Sequence, residues 1–162
     1  MIVLLDSGPL GMITNPRGKA EALACERWSR AVTVAGHLVL VPEIIDYEHR
    51  RELLLNDSLA AVARLDAFKE NGAYLPVSEA AFLTGAQFWA TARRKGQPTA
   101  DRHALDADML LAAQAATFDR LDWDRSAEED VVIATTNVGH LSRFADARLW
   151  KDIPTTFLEE NG

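Results

Sequence analysis

Asp6, Glu48, Asp108 and Asn137 are the residues whose types and settings could do chemistry. Asp6 follows the apolar run Ile2-Val3-Leu4-Leu5 and precedes Ser7-Gly8-Pro9, a stretch of turn chemistry. Asn137 follows Val131-Val132-Ile133-Ala134 through Thr135 and Thr136. Both therefore stand where a buried strand ends, and open α/β sheets bind ligands at the carboxyl ends of their strands. Asp and Asn are also ordinary turn residues, so either position is explained without function. Glu48 differs in kind. On a wheel at about 100° per residue, residues 43–55 place Ile44, Ile45, Tyr47, Leu54 and Leu55 around one broad face. Glu48 falls near its middle, while Asp46, His49 and Arg50 point to solvent. A carboxylate on an apolar face is costly unless it is paired or coordinated. Arg51 or Arg64 could pair with it. Asp106 and Asp108 open an apolar helix, with Asp101 just upstream in a polar loop. N-capping accounts for one of the two and does not require both.

Several carboxylates held close repel one another, and a bound divalent cation relieves that repulsion. An all-oxygen donor set suits Mg²⁺ or Mn²⁺ and not zinc.

The elements that must position these groups can be read from the pattern. Residues 2–5, 38–41 and 131–134 are short, continuous apolar runs, read as strands buried on both faces. Helical periodicity covers Lys19 to about Ala35, Glu43 to Leu55, a segment capped by Asp57 or Ser58 and running to Glu70, Glu79 to Lys95, and Leu105 to Thr117. The last of these is apolar nearly all round and should be buried. Tyr74 to Val77 is a weak strand, Asp119 to Asp130 a polar surface loop, and Trp150 to Ile153 an edge strand. Strands separated by helices indicate an α/β fold with a parallel sheet. No linker, repeat or low-complexity tract divides the chain, so residues 1–162 read as one domain.

Composition narrows the class. Of 162 residues, 48% are hydrophobic and 25% charged, enough for a real core, which excludes wholly disordered and collagen-like chains. Cys25 is the single cysteine, so no internal disulfide can form. No apolar run approaches the roughly 18 residues of a membrane span, and the expected setting is the cytoplasm. The 24 acidic side chains against 17 basic ones leave a formal charge of −7. That argues against a generic electrostatic affinity for nucleic acid, but not against a local basic patch. Much of the excess, in Asp119–Asp130 and at Glu159-Glu160, reads as solvated surface.

Four segments together resemble the PIN-domain family, and VapC-type toxins in particular. They are Ile2-Val3-Leu4-Leu5-Asp6-Ser7-Gly8-Pro9-Leu10, Val41-Pro42 through Glu48-His49-Arg50-Arg51-Glu52-Leu53, Leu105-Asp106-Ala107-Asp108 through Ala115, and Ile133-Ala134-Thr135-Thr136-Asn137-Val138-Gly139-His140-Leu141. The resemblance implies a single PIN-like domain, its parallel sheet in the order 3-2-1-4-5 with helices on both sides. It implies a Mg²⁺- or Mn²⁺-dependent ribonuclease, the toxin of a toxin–antitoxin pair, with a small antitoxin as partner and a homodimeric state. Asp6 and Asp108 would hold the metal, Glu48 would be a ligand or position the attacking water, and Asn137, Thr135, Thr136, Ser7 and Asp106 would support the site. Many members carry aspartate at the fourth position. Asn137 brings one negative charge fewer, which would weaken any second metal.

Arg50, Arg51, Arg93, Arg94, Lys95, Arg102 and Arg143 are the candidates for contact with RNA. For Arg93-Arg94-Lys95, placement at a helix C-terminus is a sufficient structural reason. His140 reads as an ordinary loop histidine, and the four tryptophans as core or interface. A second reading is a catalytically weak PIN-fold module that binds RNA or a protein partner. A third, phosphoryl transfer of the haloacid dehalogenase type, would want a second acid two residues after Asp6, where Gly8 stands. No Walker or dinucleotide-binding glycine motif is present.

Overall fold

The computed structural model describes residues 1–15, 18–102 and 104–156. Glu159 and Glu160, expected on the solvated surface, lie outside the described residues.

The apolar runs form the strands. β1 (Ile2–Leu5) is buried at every position, β2 (Leu38–Pro42) and β4 (Val131–Thr135) at all but their first. Strands buried in both alternating directions must be covered on both faces, as parallel sheets are. β3 (Tyr74–Leu75) and β5 (Ala147–Leu149) are short edges. All neighbours pair in parallel in the order β3-β2-β1-β4-β5, with Ile2 beside Leu38 on one side and Val131 on the other. The two-residue β3 is tied down by side chains. Gln114 donates to the carbonyls of Leu75 and Pro76, and Glu43 accepts from the Val77 amide at 2.8 Å.

Among the described residues six α-helices connect the strands: α1 (Ser7–Thr14), α2 (Ala20–Val34), α3 (Glu43–Leu55), α4 (Leu59–Glu70), α5 (Glu79–Arg94) and α6 (Ala107–Ala116). α6 carries seven consecutive buried residues, Met109 to Ala115, as its apolar circumference requires. It packs on α3, which brings the helix bearing Glu48 to the one bearing Asp108.

The structure departs from the sequence reading in four places. Asp6-Ser7-Gly8-Pro9 is the start of α1, not a turn: Asp6 is its N-cap, and Pro9 falls in the first turn, where a missing N–H costs nothing. An eight-residue helix carrying two glycines and a proline has too little periodicity to declare itself. On α3 the buried arc is Ile44, Ile45, Asp46 and Leu53, with Tyr47 54% and Leu55 77% exposed. The buried arc is turned away from Tyr47, Leu54 and Leu55, and half-buried Glu48 falls between Ile44 and Ile45 on it. Asp46 is buried because Arg50 folds back to it at 2.9 Å and bridges on to Asp66 at 2.7 Å, so both ends of the pair turn inward. At the C-terminal end, β5 precedes Trp150. Trp150–Asp152 is a 3-10 turn whose tryptophan packs on Trp28 at 5.7 Å between ring centroids. Finally, Asp119–Asp130 contains a 3-10 turn at Leu121–Trp123, and its Glu129 is an anchor instead of a solvated acid. Glu129 binds the Met1 ammonium at 2.7 Å and Arg125 at 2.6 Å.

No helix among the described residues is long and apolar enough to cross a membrane.

Candidate active site

The chain leaves β1 for β2 and β3 on one side, then returns to β4 on the other. The connections diverge beyond the carboxyl ends of β1 and β4, a topological switch point where α/β sheets open a crevice. Asp6 follows β1 there, and Thr135 to Asn137 end β4.

Asp6 is held by both carboxylate oxygens. Oδ1 accepts from the Ser7 amide at 2.7 Å and Oδ2 from the Thr135 hydroxyl at 2.6 Å. The Asp6 amide in turn donates to the Ala134 carbonyl at 3.0 Å. Thr135 is wholly buried, and its oxygen also accepts from the Asn137 amide at 3.0 Å. One hydroxyl therefore couples Asp6 to the loop after β4. Gly8 lets these two segments meet: a Cβ there would lie 2.5 Å from Thr136 Oγ1 and 2.8 Å from its Cγ2. Ser7 contributes its backbone amide to the cap, and Thr136 is exposed.

Glu48 and Asp108 face Asp6 from α3 and α6. Burial, then the charges of Asp6 and Asp108, pushes the Glu48 carboxyl above its usual range, against a smaller opposing pull from Arg51. Burial, then Asp6 and Asp106, does the same to Asp108, with His140 pulling the other way. The structure thus brings Asp6, Glu48 and Asp108 into one another's fields. Arg51 lies 3.8 Å from Glu52 and makes no ion pair with Glu48, and Arg64 is spent elsewhere, on the Thr14 carbonyl. Glu48 therefore lacks both of the salt-bridge partners considered for it.

The remaining candidates divide. Asp106 is a structural cap: it accepts from the Met109 amide and from Thr99 Oγ1 at 2.5 Å. Asn137 is exposed, and its Oδ1 accepts from the Gly139 amide at 3.1 Å, an Asx turn within its own loop. Arg50 is committed to Asp46 and Asp66, Arg143 donates to the Gln97 carbonyl, and Arg93 to that of Ala100. Arg51, Arg94, Lys95 and Arg102 are exposed. The structure adds His140, half-buried beside Asp108, with a buried Nδ1 that has no partner among the described residues. The signal in the sequence was its loop, which leaves the same strand end as Asn137.

Among the described residues, no three His, Cys, Asp or Glu side chains close into a metal cage. The donor set nevertheless fits a hard cation. Among the described residues Asp6, Glu48 and Asp108 form no ion pair, and the raised proton affinity of the last two marks negative charge that a cation would offset. Mg²⁺ keeps much of its water and takes one or two protein carboxylates, so a tight cage is not its requirement.

No family model matches this chain, and no curated protein matches it by sequence. Solved structures do match it in fold. A chain in the structure of VapBC2 from Rickettsia felis bound to a DNA fragment from their promoter aligns with a TM-score of 0.64 at 12% identity, over 91% of this chain and 98% of that one. One in FitAcB from Neisseria gonorrhoeae aligns at 0.60 and 17% identity, over 93% and 99%. One in VapBC-1 from nontypeable Haemophilus influenzae aligns at 0.58 and 15%, over 94% and 100%. The sheet order and the extent of these matches bear out the resemblance to PIN-domain proteins in fold.

Proposed function

We propose that this PIN-fold chain is a divalent-metal-dependent endoribonuclease, the toxin of a toxin–antitoxin pair. The observation that carries the reading is the approach of Asp6, Glu48 and Asp108 at the switch point, with no ion-pair partner among the described residues, where the Asp6 charge raises the proton affinity of the other two carboxyls. The complexes in which similar folds occur, VapBC and FitAB, support a protein partner. The partner is a small antitoxin protein that covers the site.

Asp6 and Asp108 would hold Mg²⁺ or Mn²⁺, with Glu48 as a further ligand or as the group that orients water. When bound, the cation supplies charge neutralisation at phosphorus and acidifies water. The chain's own residues do the rest. Ser7 and Thr135 hold the Asp6 carboxylate in place, so it would serve as a ligand without reorganisation. Glu48, with its elevated proton affinity, is suited to take a proton from water at its carboxylate oxygen. Asp106 and Thr99 fix the first turn of α6 and hence the direction of Asp108. Exposed Arg51, on the same helix as Glu48 and close enough to lower its proton affinity, is the basic group we assign to an RNA phosphate.

The test is cleavage of structured RNA with Mg²⁺ or Mn²⁺, with excess EDTA, and with Asp6→Asn and Asp108→Asn variants. Each variant should lose at least about 10²-fold of the rate. Equal cleavage in EDTA, or full activity of Asp6→Asn, defeats the mechanism. A weakly catalytic binding module is the second reading, favoured by the Asx turn that engages Asn137 Oδ1. Intact folding with no Mg²⁺ or Mn²⁺ binding by calorimetry would select it.

A further inference from the structure

The end of α6 opposite to Asp108 closes on a cavity that the nuclease reading leaves unused. Its volume is about 230 Å³, and its walls come from the end of β3, the start of α5, the end of α6 and the turn at Leu121–Trp123. Gln114, Thr117, Phe118, Asp119, Asp122 and Trp123 carry its chemistry.

Gln114 is 2% exposed. Its Nε2 donates to the Leu75 and Pro76 carbonyls at 2.9 and 3.2 Å, which fixes the sense of the amide. Oε1 is then a buried acceptor with no donor among the described residues. A buried oxygen left unpaired is costly, and a donor entering the cavity would remove that cost.

The rest of the lining says what kind of donor. Asp119 and Asp122 are exposed, so they mark the mouth, and neither forms an ion pair among the described residues. No Lys, Arg or His is among the lining residues. α6 ends here, and its last carbonyls add partial negative charge. The positive pole at the start of α5 is already capped, since Ser78 Oγ accepts from the Ala81 amide. Phe118 and Trp123 stack with ring centroids 6.1 Å apart. Aromatic faces attract cations and cover methylene groups.

We propose that this cavity binds a small aliphatic diamine. One ammonium donates to Gln114 Oε1, the other pairs with Asp119 and Asp122, and the methylenes lie against Phe118 and Trp123. A buried acceptor and a pair of exposed carboxylates make two poles, and apolar rings suit the chain that joins them. At about 30 Å³ per water molecule the cavity has the volume of about seven, enough for a chain of about six heavy atoms. This site stands independently of the nuclease reading.

Calorimetric titration of the full chain with putrescine at about pH 7 should give one site with a Kd of about 1 mM or tighter. Butanediol, of the same length without charge, and succinate, of opposite charge, should bind at least about tenfold more weakly. Asp122→Asn removes a carboxylate charge and Trp123→Leu an aromatic face, and each should weaken binding about five- to tenfold. Gln114→Leu should weaken it as well. Should loss of its tie to β3 prevent folding, the other two variants decide. Asp6→Asn should leave putrescine binding unchanged, which separates this cavity from the acids at the switch point. No heat with putrescine at about 10 mM, equal affinity for butanediol, or binding unmoved by both Asp122→Asn and Trp123→Leu overturns the proposal. So does loss of binding in Asp6→Asn.

Discussion

Thr135 and Asp6, 129 residues apart in sequence, are joined by a 2.6 Å hydrogen bond that ties the end of β4 to the end of β1. The hydroxyl is wholly buried and the acceptor is a carboxylate, so the bond is of the stronger kind. Thr135→Val keeps the shape and removes the donor. It should cost about 1–3 kcal/mol in urea unfolding and lower RNA cleavage, while Thr135→Ser keeps most of both. Unchanged stability in the valine variant would show that the bond does not hold the site.

The carboxyls of Glu48 and Asp108 set the response to pH. Both are raised in the folded chain, so the folded state holds their protons more tightly than the unfolded state does. Their contribution is therefore most favourable below the ordinary carboxylate range. It falls as pH rises from that range through the raised values, and stays unfavourable above them. Glu48→Gln should thus stabilise the metal-free protein at pH 7 by a few tenths to about 1 kcal/mol. Added Mg²⁺ or Mn²⁺ should raise the melting temperature more at pH 7 than at pH 4. Equal shifts at both pH values would mean that these carboxylates are not the ligands.

Glu129 behaves in the opposite sense. Burial pushes its carboxyl up, but hydrogen bonds and charge from the Met1 ammonium and Arg125 together hold it at about 2. The stability it contributes is present above the ordinary glutamate value of 4.5 and is lost as pH falls from there towards 2. Glu129→Gln should cost about 1–2 kcal/mol at pH 7 and nothing near pH 2, measured by denaturant titration at each pH.

Cys25 is fully buried, and burial, followed by the charge of Glu21, pushes its thiol up to about 12. Alkylation needs the thiolate and access to it. Iodoacetamide at pH 8 should therefore modify the native protein at least about 10³-fold more slowly than the urea-unfolded chain. Rapid native labelling would mean that α2 opens readily.

Several parts of the site could be read before folding was considered. The apolar runs of β1, β2 and β4 declare themselves because strands buried on both faces need no alternation. Asp6 and Asn137 follow from where those runs stop, and Asp106 as a cap from its place before an apolar helix. The wheel on α3 was less informative. Tyr47, Leu54 and Leu55 are apolar yet exposed, and Asp46 is polar yet buried through Arg50, so hydrophobicity pointed about a third of a turn away from the true core face. Glu48 stands out on either face, because its direction on the wheel lies between those of Ile44 and Ile45, which both faces share.

Local pattern, then, determined the element types, the parallel α/β class and the strand-end positions of Asp6 and Asn137, because hydrophobic periodicity is a property of neighbouring residues. Tertiary structure alone decided which acids meet. Asp6, Glu48 and Asp108 come from β1's end, α3 and α6, and only sheet order and the packing of α3 on α6 bring their charges together. The same holds for Glu129, which read as one acid in a solvated loop. Its partners Met1 and Arg125 are set beside it by the pairing of β1 with β4 and by a turn, and no sequence window contains all three. The −7 charge is an additive property of the chain. Whether an acid is solvated, paired or left demanding a cation depends on distances that only the fold creates.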